Sequence, residues 1–434
     1  MATLLRLPNE ILHLIAAALD PQSLCNLRLA SRRMNSVTLP AISKRCFATR
    51  CVMLQQSSLD NLVKISQHPV LGPSVVKLAI SLDHLKIERP EGDPGYLFAD
   101  ENGVVDDDLP AYGILLGDQM EMMRSGLNSA YLAQAMAALP NLDTVFFNHD
   151  DHNLRPWGGR AIERQTGLPL EPAGVDLGSI EFVEQALRAV LLAIASSRHA
   201  ALRKFEIKFG ADENARICLD MLAIPGPVIR YIRANPPSLT DLVLWLQPYN
   251  TVRYPRYVPV DIAAFISLFP KLQRLHLGFH RAEDYYLHFD GISRDLHLQD
   301  LRFLKLSMLR CTYGELTALL RSHKDTLKEV VLHLVDLVPD KQDWPSFLAA
   351  MRDELSLQVL TVNLCSSDWK CVEFCRQSES GSLTCLRRFD LGGTWQAWTD
   401  AIDSIVMREM HGDEILWLPQ EVWMPKKPSR GVDA

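Results

Sequence analysis

Past residue 70 one short pattern keeps returning: an apolar residue, two of any kind, an apolar residue, one of any kind, and an apolar residue. It reads Val75-Val76-Lys77-Leu78-Ala79-Ile80, Leu142-Asp143-Thr144-Val145-Phe146-Phe147 and Leu202-Arg203-Lys204-Phe205-Glu206-Ile207. It returns as Leu239-Thr240-Asp241-Leu242-Val243-Leu244, Leu272-Gln273-Arg274-Leu275-His276-Leu277 and Leu301-Arg302-Phe303-Leu304-Lys305-Leu306. The last three are Leu327-Lys328-Glu329-Val330-Val331-Leu332, Leu357-Gln358-Val359-Leu360-Thr361-Val362 and Leu386-Arg387-Arg388-Phe389-Asp390-Leu391. From 239 onward the starts at 239, 272, 301, 327, 357 and 386 lie 33, 29, 26, 30 and 29 residues apart. A recurrence this regular constrains the fold more than any single motif, because each unit leaves its apolar face bare unless a neighbouring unit stacks on it.

The stretches between starts carry helical periodicity. Ile262, Phe265, Ile266 and Phe269 precede one start, Leu316, Leu319 and Leu320 another, and Phe347, Leu348, Met351 and Leu355 a third. Each unit therefore reads as helix, turn and short strand, an α/β array of alternating short parallel strands and helices. In this it resembles a degenerate leucine-rich repeat. The Asn or Cys that the consensus sets after the last apolar position occurs once, as Cys365 in Leu357-x-x-Leu360-x-Val362-x-x-Cys365. An α/β array of another curvature is the alternative.

The amino terminus is organised differently. Leu7-Pro8-Asn9-Glu10-Ile11-Leu12, Ile15 and Leu19 place apolar side chains along one face of a helix. Pro8 presets φ and Glu10 sits where the helix dipole favours a carboxylate. Asp20-Pro21 ends that helix and starts a second, on which Leu24 and Leu27 lie, with Ser31, Arg32, Arg33 and Met34 following. A segment this short buries too little surface to cover these side chains alone. Either the rest of the chain covers them or a partner groove does. The order L-P-x-E-I-L followed by D-P-x-S-L-x-x-L-R-L-A-S-R-R resembles an F-box over residues 7–40, with Met34 where many F-boxes carry an aromatic.

That resemblance, to F-box proteins of the fungal type with repeat-like regions, implies a division of labour. Residues 1–50 would be the F-box, docking the Skp-type linker subunit of a cullin-based SCF ubiquitin ligase. The contact face would comprise Leu7, Pro8, Ile11, Leu12, Ile15, Leu19, Leu24, Leu27, Ser31 and Met34. Residues 51–425 would be the repeat solenoid that selects a protein substrate, with insertions near 88–112 and 148–180 read as loops, and residues 426–434 a frayed tail. An interaction scaffold outside ubiquitin transfer is the alternative.

Composition narrows the classes further. The 434 residues are 47% hydrophobic, enough for a large core, and the net charge of −7 with no basic run argues against a nucleic-acid partner. The longest apolar run, around residues 189–195, is too short to span a membrane. Arg6, Glu10 and Asp20 interrupt any signal-peptide core. The nine cysteines, at 25, 46, 51, 218, 311, 365, 371, 375 and 385, form no disulfide framework, so a cytoplasmic or nuclear location is expected. No catalytic motif appears, and neither an enzyme nor a cofactor or metal site is expected. The nearest candidate, His149-Asp150-Asp151-His152, offers zinc or manganese ligand types, but neighbouring loop residues rarely converge on one ion. Cys371 and Cys375 are expected on a helix as small buried hydrophobes. Trp395, Trp398, Trp417 and Trp423 suit a cap closing the open end of a stack. The positions between the repeat apolar residues include Arg203, Lys204, Arg274, His276, Arg302, Lys305, Lys328, Arg387 and Arg388, which suggests an acidic or phosphorylated substrate.

Overall fold

The structure, a computed structural model, describes residues 4, 7–86, 109–148, 154–167, 170, 177–208, 219–246, 260–279, 289–338, 343–367, 370–377, 383–392 and 394–409. Three helices open the chain: α1 (Asn9–Ala18), α2 (Pro21–Leu29) and α3 (Arg32–Cys46). Nine strands then follow one another, each parallel to the last: β1 (Thr49–Val52), β2 (Lys77–Ser81), β3 (Thr144–Asn148), β4 (Lys204–Ile207), β5 (Asp241–Leu246), β6 (Arg274–Phe279), β7 (Phe303–Thr312), β8 (Glu329–Val338) and β9 (Val359–Asn363). Helices occupy every connection. They are α4 (Gln56–Ser66), α5 (Leu109–Ser125) with α6 (Leu127–Ala138), α7 (Gly159–Thr166) with α8 (Leu177–Ser197), α9 (Gly226–Ala234), α10 (Val260–Ile266), α11 (Asp290–Asp295), α12 (Tyr313–Ser322) and α13 (Trp344–Glu354).

Each strand from β2 to β9 begins two residues after the first apolar residue of its repeat, and those positions align across the sheet: Lys77, Thr144, Lys204, Asp241, Arg274, Phe303, Glu329 and Val359 are successive partners. One hydrogen-bond motif stitches the units. The carbonyls of Ala48, Val76, Asp143, Arg203, Thr240, Gln273, Arg302 and Lys328 each accept from two consecutive backbone N–H groups at the start of the next strand. The alternate positions Leu275, Leu277 and Phe279 are buried, as are the matching residues of neighbouring strands, and they meet helix residues such as Phe265, Phe269, Leu316 and Phe347 in one continuous core. The helices thus cover one face of the sheet, with α6 on α8, α10 on α11, α11 on α12 and α12 on α13. The helix-strand alternation read from the repeats is the architecture, a mostly parallel α/β array.

Three non-glycine residues adopt the left-handed conformation at equivalent places: Met308, Leu334 and Leu364, with φ of 54°, 54° and 53°. Pairing skips from Ser307↔His333 to Leu309↔Val335, so Met308 and Leu334 are stacked irregularities that bend β7 and β8 together. Leu364 does the same between β9 and the two-residue β10 (Ser366–Ser367), which rejoins β8 in parallel. Cys365, at the consensus position, is fully buried, and its Sγ–H reaches Leu332 O at 3.6 Å.

Several expectations need correction. The insertion read as a loop over 148–180 contains α7 and the start of α8, and the one over 88–112 ends inside α5. Residues 88–108 and 149–152, and with them His149–His152, lie outside the described residues, as do Trp417, Trp423 and 426–434. The boundary at residue 50 cuts through β1. Cys371 and Cys375 lie on a strand, β11 (Lys370–Gln377), not on a helix. The ninth repeat, β13 (Arg388–Gly392), runs antiparallel to β9. Its opening Leu386 is 42% exposed, where the opening residues of the other eight are buried. An antiparallel group closes this end: β11 pairs with β10, with β12 (Leu383–Leu386) and with β14 (Ile405–Glu409). Helix α14 (Trp395–Asp403) packs on α13, buries Trp398 and leaves Trp395 62% exposed with Arg352 4.7 Å above its ring. Trp398 is therefore part of the cap.

Candidate functional site

The amino-terminal helices assemble from local signals. The Asp20 carboxylate caps α2, accepting from the N–H groups of Gln22 and Ser23 at 3.0 Å each, and hydrogen bonds from the Ser23 side chain first and then from these N–H groups hold its pKa below the usual value. The Ser31 hydroxyl caps α3, accepting from Met34 N at 3.1 Å. Two arginines of α3 grip the two ends of α1. Arg33 donates to Leu7 O at 2.7 Å and to Asn9 Oδ1 at 2.9 Å, while Arg45 donates to the carbonyls of Ala17 and Leu19. The Ala17 and Leu19 carbonyls lie at the C-terminal end of α1, where helix carbonyls lack intrahelical partners, so the Arg45 cation there satisfies both geometry and dipole.

The interior of this unit is its own. Leu12, Met34 and Val37 form one cluster with Leu7 and Leu27 against it. Ala16, Leu24 and Ile42 form another, with Leu19, Ala41, Cys46 and Phe47 around it. Among the described residues neither contains one beyond 47, and neither merges with the core of the sheet; Phe47 packs against both the second cluster and that core. Among the described residues, the helices are thus not buried under the rest of the chain.

This sorts the ten expected contact residues. Leu12, Leu24 and Met34 are buried inside the three-helix unit and present no side chain to a partner, which corrects their place on the contact face; hydrophobic spacing cannot tell a bundle's inner face from its outer one. The Ser31 hydroxyl is committed to its cap. Leu7, Ile15, Leu19 and Leu27 are half-buried, and Pro8 is exposed. Ile11, at 43%, is exposed together with Leu14, at 68%, and Leu29, at 79%. The last two were not among the expected contact residues. Leu14 stands three residues after Ile11, which stands three after Pro8, so the signal was a second stripe on the same helix. Exposed apolar residues in a continuous stripe on a helix suit a groove on another protein.

The sheet face opposite the described helices is the other surface to weigh. Its expected basic residues are interleaved with acids: Arg203 Nε lies 2.6 Å from Asp143, Arg274 Nε 3.3 Å from Asp241, Arg387 Nε 3.3 Å from Glu373 and Arg388 Nη2 3.4 Å from Asp390. Lys204 pairs with Glu206. Five of the nine expected basic residues are thus paired with acids. Towards the strand ends, Trp245 and Gly278 are register partners, and a Cβ on Gly278 would meet the indole at 2.9 Å, so only glycine lets the ring lie there. The His276 ring stands edge-on to Trp245 at 5.3 Å and is 3.2 Å from Ser307 Oγ, and His333 Nδ1 is 2.8 Å from Asn363 Nδ2. Burial, aided by Lys305, lowers the His276 pKa to about 2 and that of His333 to about 4, so both rings stay neutral.

Among the described residues no group of three or more His, Cys, Asp or Glu is placed to hold a metal ion, and no helix is long and apolar enough to cross a membrane. Burial pushes the Cys365 thiol up to about 12, which makes it a packing residue.

Residues 4–47 match the F-box-like family. The match coincides with the three-helix unit and stops two residues before β1. Domains of this class generally bind Skp-type linkers in SCF complexes, which suggests in general a substrate-adapter role. No curated protein matches the chain.

Proposed function

We propose that this chain is a substrate-recognition adapter of a cullin-type ubiquitin ligase, holding the linker subunit through Pro8, Ile11, Leu14 and Ile15 and a protein substrate through the α/β array. The supporting observation is the unshared interior of the three-helix unit. A bundle with a finished core that still shows an apolar stripe, in a segment matched as F-box-like, is built to bind rather than to fold. Covering an Ile or Leu side chain contributes about 1.5–3 kcal/mol, so a few such residues suffice for a specific contact. On this reading the chain breaks no bonds. It raises the concentration of substrate lysines beside a conjugating enzyme. The array's strand face is the proposed substrate surface, and its paired charges leave the substrate's sign open.

The test is co-purification. Ile11→Asp with Leu14→Asp is expected to abolish retention of the linker while the circular dichroism and melting curve stay those of the unaltered chain. A doubly substituted chain that still holds the linker sinks the docking assignment. Retention of the linker with no cullin in the assembly assigns the chain to scaffolding instead.

A further inference from the structure

The closing hairpin places two cysteines face to face. In the β11–β12 pair the register is Phe374↔Leu386, Cys375↔Cys385, Arg376↔Thr384 and Gln377↔Leu383, so residue 375 stands directly opposite residue 385 on an antiparallel neighbour. The backbone shows which kind of opposite pair this is. Cys375 N–H donates to Ser404 O at 2.8 Å, which points its peptide groups towards β14, and Val372 N–H donates the other way, to Cys365 O at 2.8 Å. In a strand, successive residues direct their hydrogen bonds to opposite edges, so residues 371, 373 and 375 bond towards β14 and the even-numbered ones towards β10 and β12. Cys375 and Cys385 therefore form a non-hydrogen-bonded pair, the kind in which opposite Cα atoms approach to about 4.5 Å. A disulfide needs a Cα separation of roughly 4.4–6.8 Å.

We infer that Cys375 and Cys385 are an oxidisable dithiol, a modification site that a peroxide converts to a cross-strand disulfide. Cys375 is only half-buried, so an oxidant reaches it, whereas Cys311 and Cys365 are sealed in the core. The chemistry balances with hydrogen peroxide as the two-electron oxidant. One thiolate attacks a peroxide oxygen; the O–O bond breaks, a sulfenic acid forms and hydroxide departs to be protonated to water. The second thiolate attacks the sulfenic sulfur, the S–S bond forms, and a second hydroxide leaves as water once protonated. Two thiols and one peroxide give one disulfide and two waters. The bond ties β12 to β11, and through β11 to β10 and β14, at the end of the array where the parallel ladder stops.

The whole reduced chain, treated with hydrogen peroxide under native conditions and alkylated before digestion, tests this. Peptide mapping is expected to show residues 375 and 385 in one disulfide-linked pair, a loss of two alkylatable thiols per chain, and full recovery of both with dithiothreitol. In the Cys385→Ser chain the link is expected to vanish and dimedone to trap a sulfenic acid at Cys375. Recovery of both cysteines singly alkylated from the unaltered chain overturns the inference. So does linkage of Cys375 to any other cysteine, within the chain or in a dimer on a non-reducing gel.

Discussion

Gly278 and Gly314 show how two glycines of one chain carry opposite consequences. A Cβ at 278 would collide with the buried Trp245 ring at 2.9 Å, whereas at Gly314, on α12, the nearest atom is 4.0 Å away. Gly278→Ala is expected to lower stability by about 1–3 kcal/mol and Gly314→Ala to raise it by roughly 0.4–1 kcal/mol, read from urea midpoints. His276 offers a pH test. Its folded pKa is about 2 against 6.5 for an ordinary histidine, so between those values the unfolded chain binds the extra proton and stability falls as the solution is acidified. From about pH 7 to about pH 5 the loss from this one ring is about 2 kcal/mol, and His276→Gln is expected to remove that share of the pH dependence. A substitution that leaves the acid sensitivity unchanged refutes the assignment. None of this was legible in the sequence, because a residue's neighbour on the next strand lies some thirty positions away. The ion pairs of the basic positions were hidden for the same reason: Arg203 meets Asp143 and Arg274 meets Asp241 only once the strands are laid side by side.

Elements were easier to read than the faces they turn. Helix α1 was visible from its periodicity, and Asp20-Pro21 marked the break before α2 through the capping geometry the structure shows. Which side of α1 faces inward depends on α3, whose Met34 and Val37 pack on Leu12, so Leu12 exchanged places with Leu14 as the exposed residue. Leu12→Ala is accordingly expected to destabilise the three-helix unit by about 2–5 kcal/mol, and Ile11→Ala to leave its stability within about 0.5 kcal/mol, measured by thermal melting. Helix α12 carries a complete capping box, with Thr312 Oγ1 accepting from Glu315 N at 3.2 Å and Thr312 N donating to Glu315 Oε2 at 2.7 Å. Thr312→Ala is expected to cost about 1 kcal/mol. The cysteine strand β11 was misread because its Val372 and Phe374 are buried while Cys371 and Glu373 are buried too, leaving no alternation to betray a strand.

At the scale of the molecule the sheet begins inside what the sequence assigned to the first domain. Ala48 O accepts from Val76 and Lys77, and β1 pairs along its length with β2. A chain beginning at residue 48 is expected to stay monomeric. One beginning at residue 53 strips β1, bares the edge of β2 and is expected to self-associate, which light scattering distinguishes. The repeat pattern made the parallel order of the eight strands β2 to β9 legible, but not the antiparallel closure, since β13 carries the same apolar spacing as the others and differs in the exposure of Leu386. The doubly accepting carbonyls recur at every junction from β1 to β9 although the intervals between successive repeat starts range from 26 to 67 residues. Length variation is therefore absorbed wholly by the connecting helices and turns, and never by the rungs. A chain wired this way can gain or shed residues on its helical side over generations while the opposite surface keeps its spacing, so the proposed binding surface is insulated from the part that drifts.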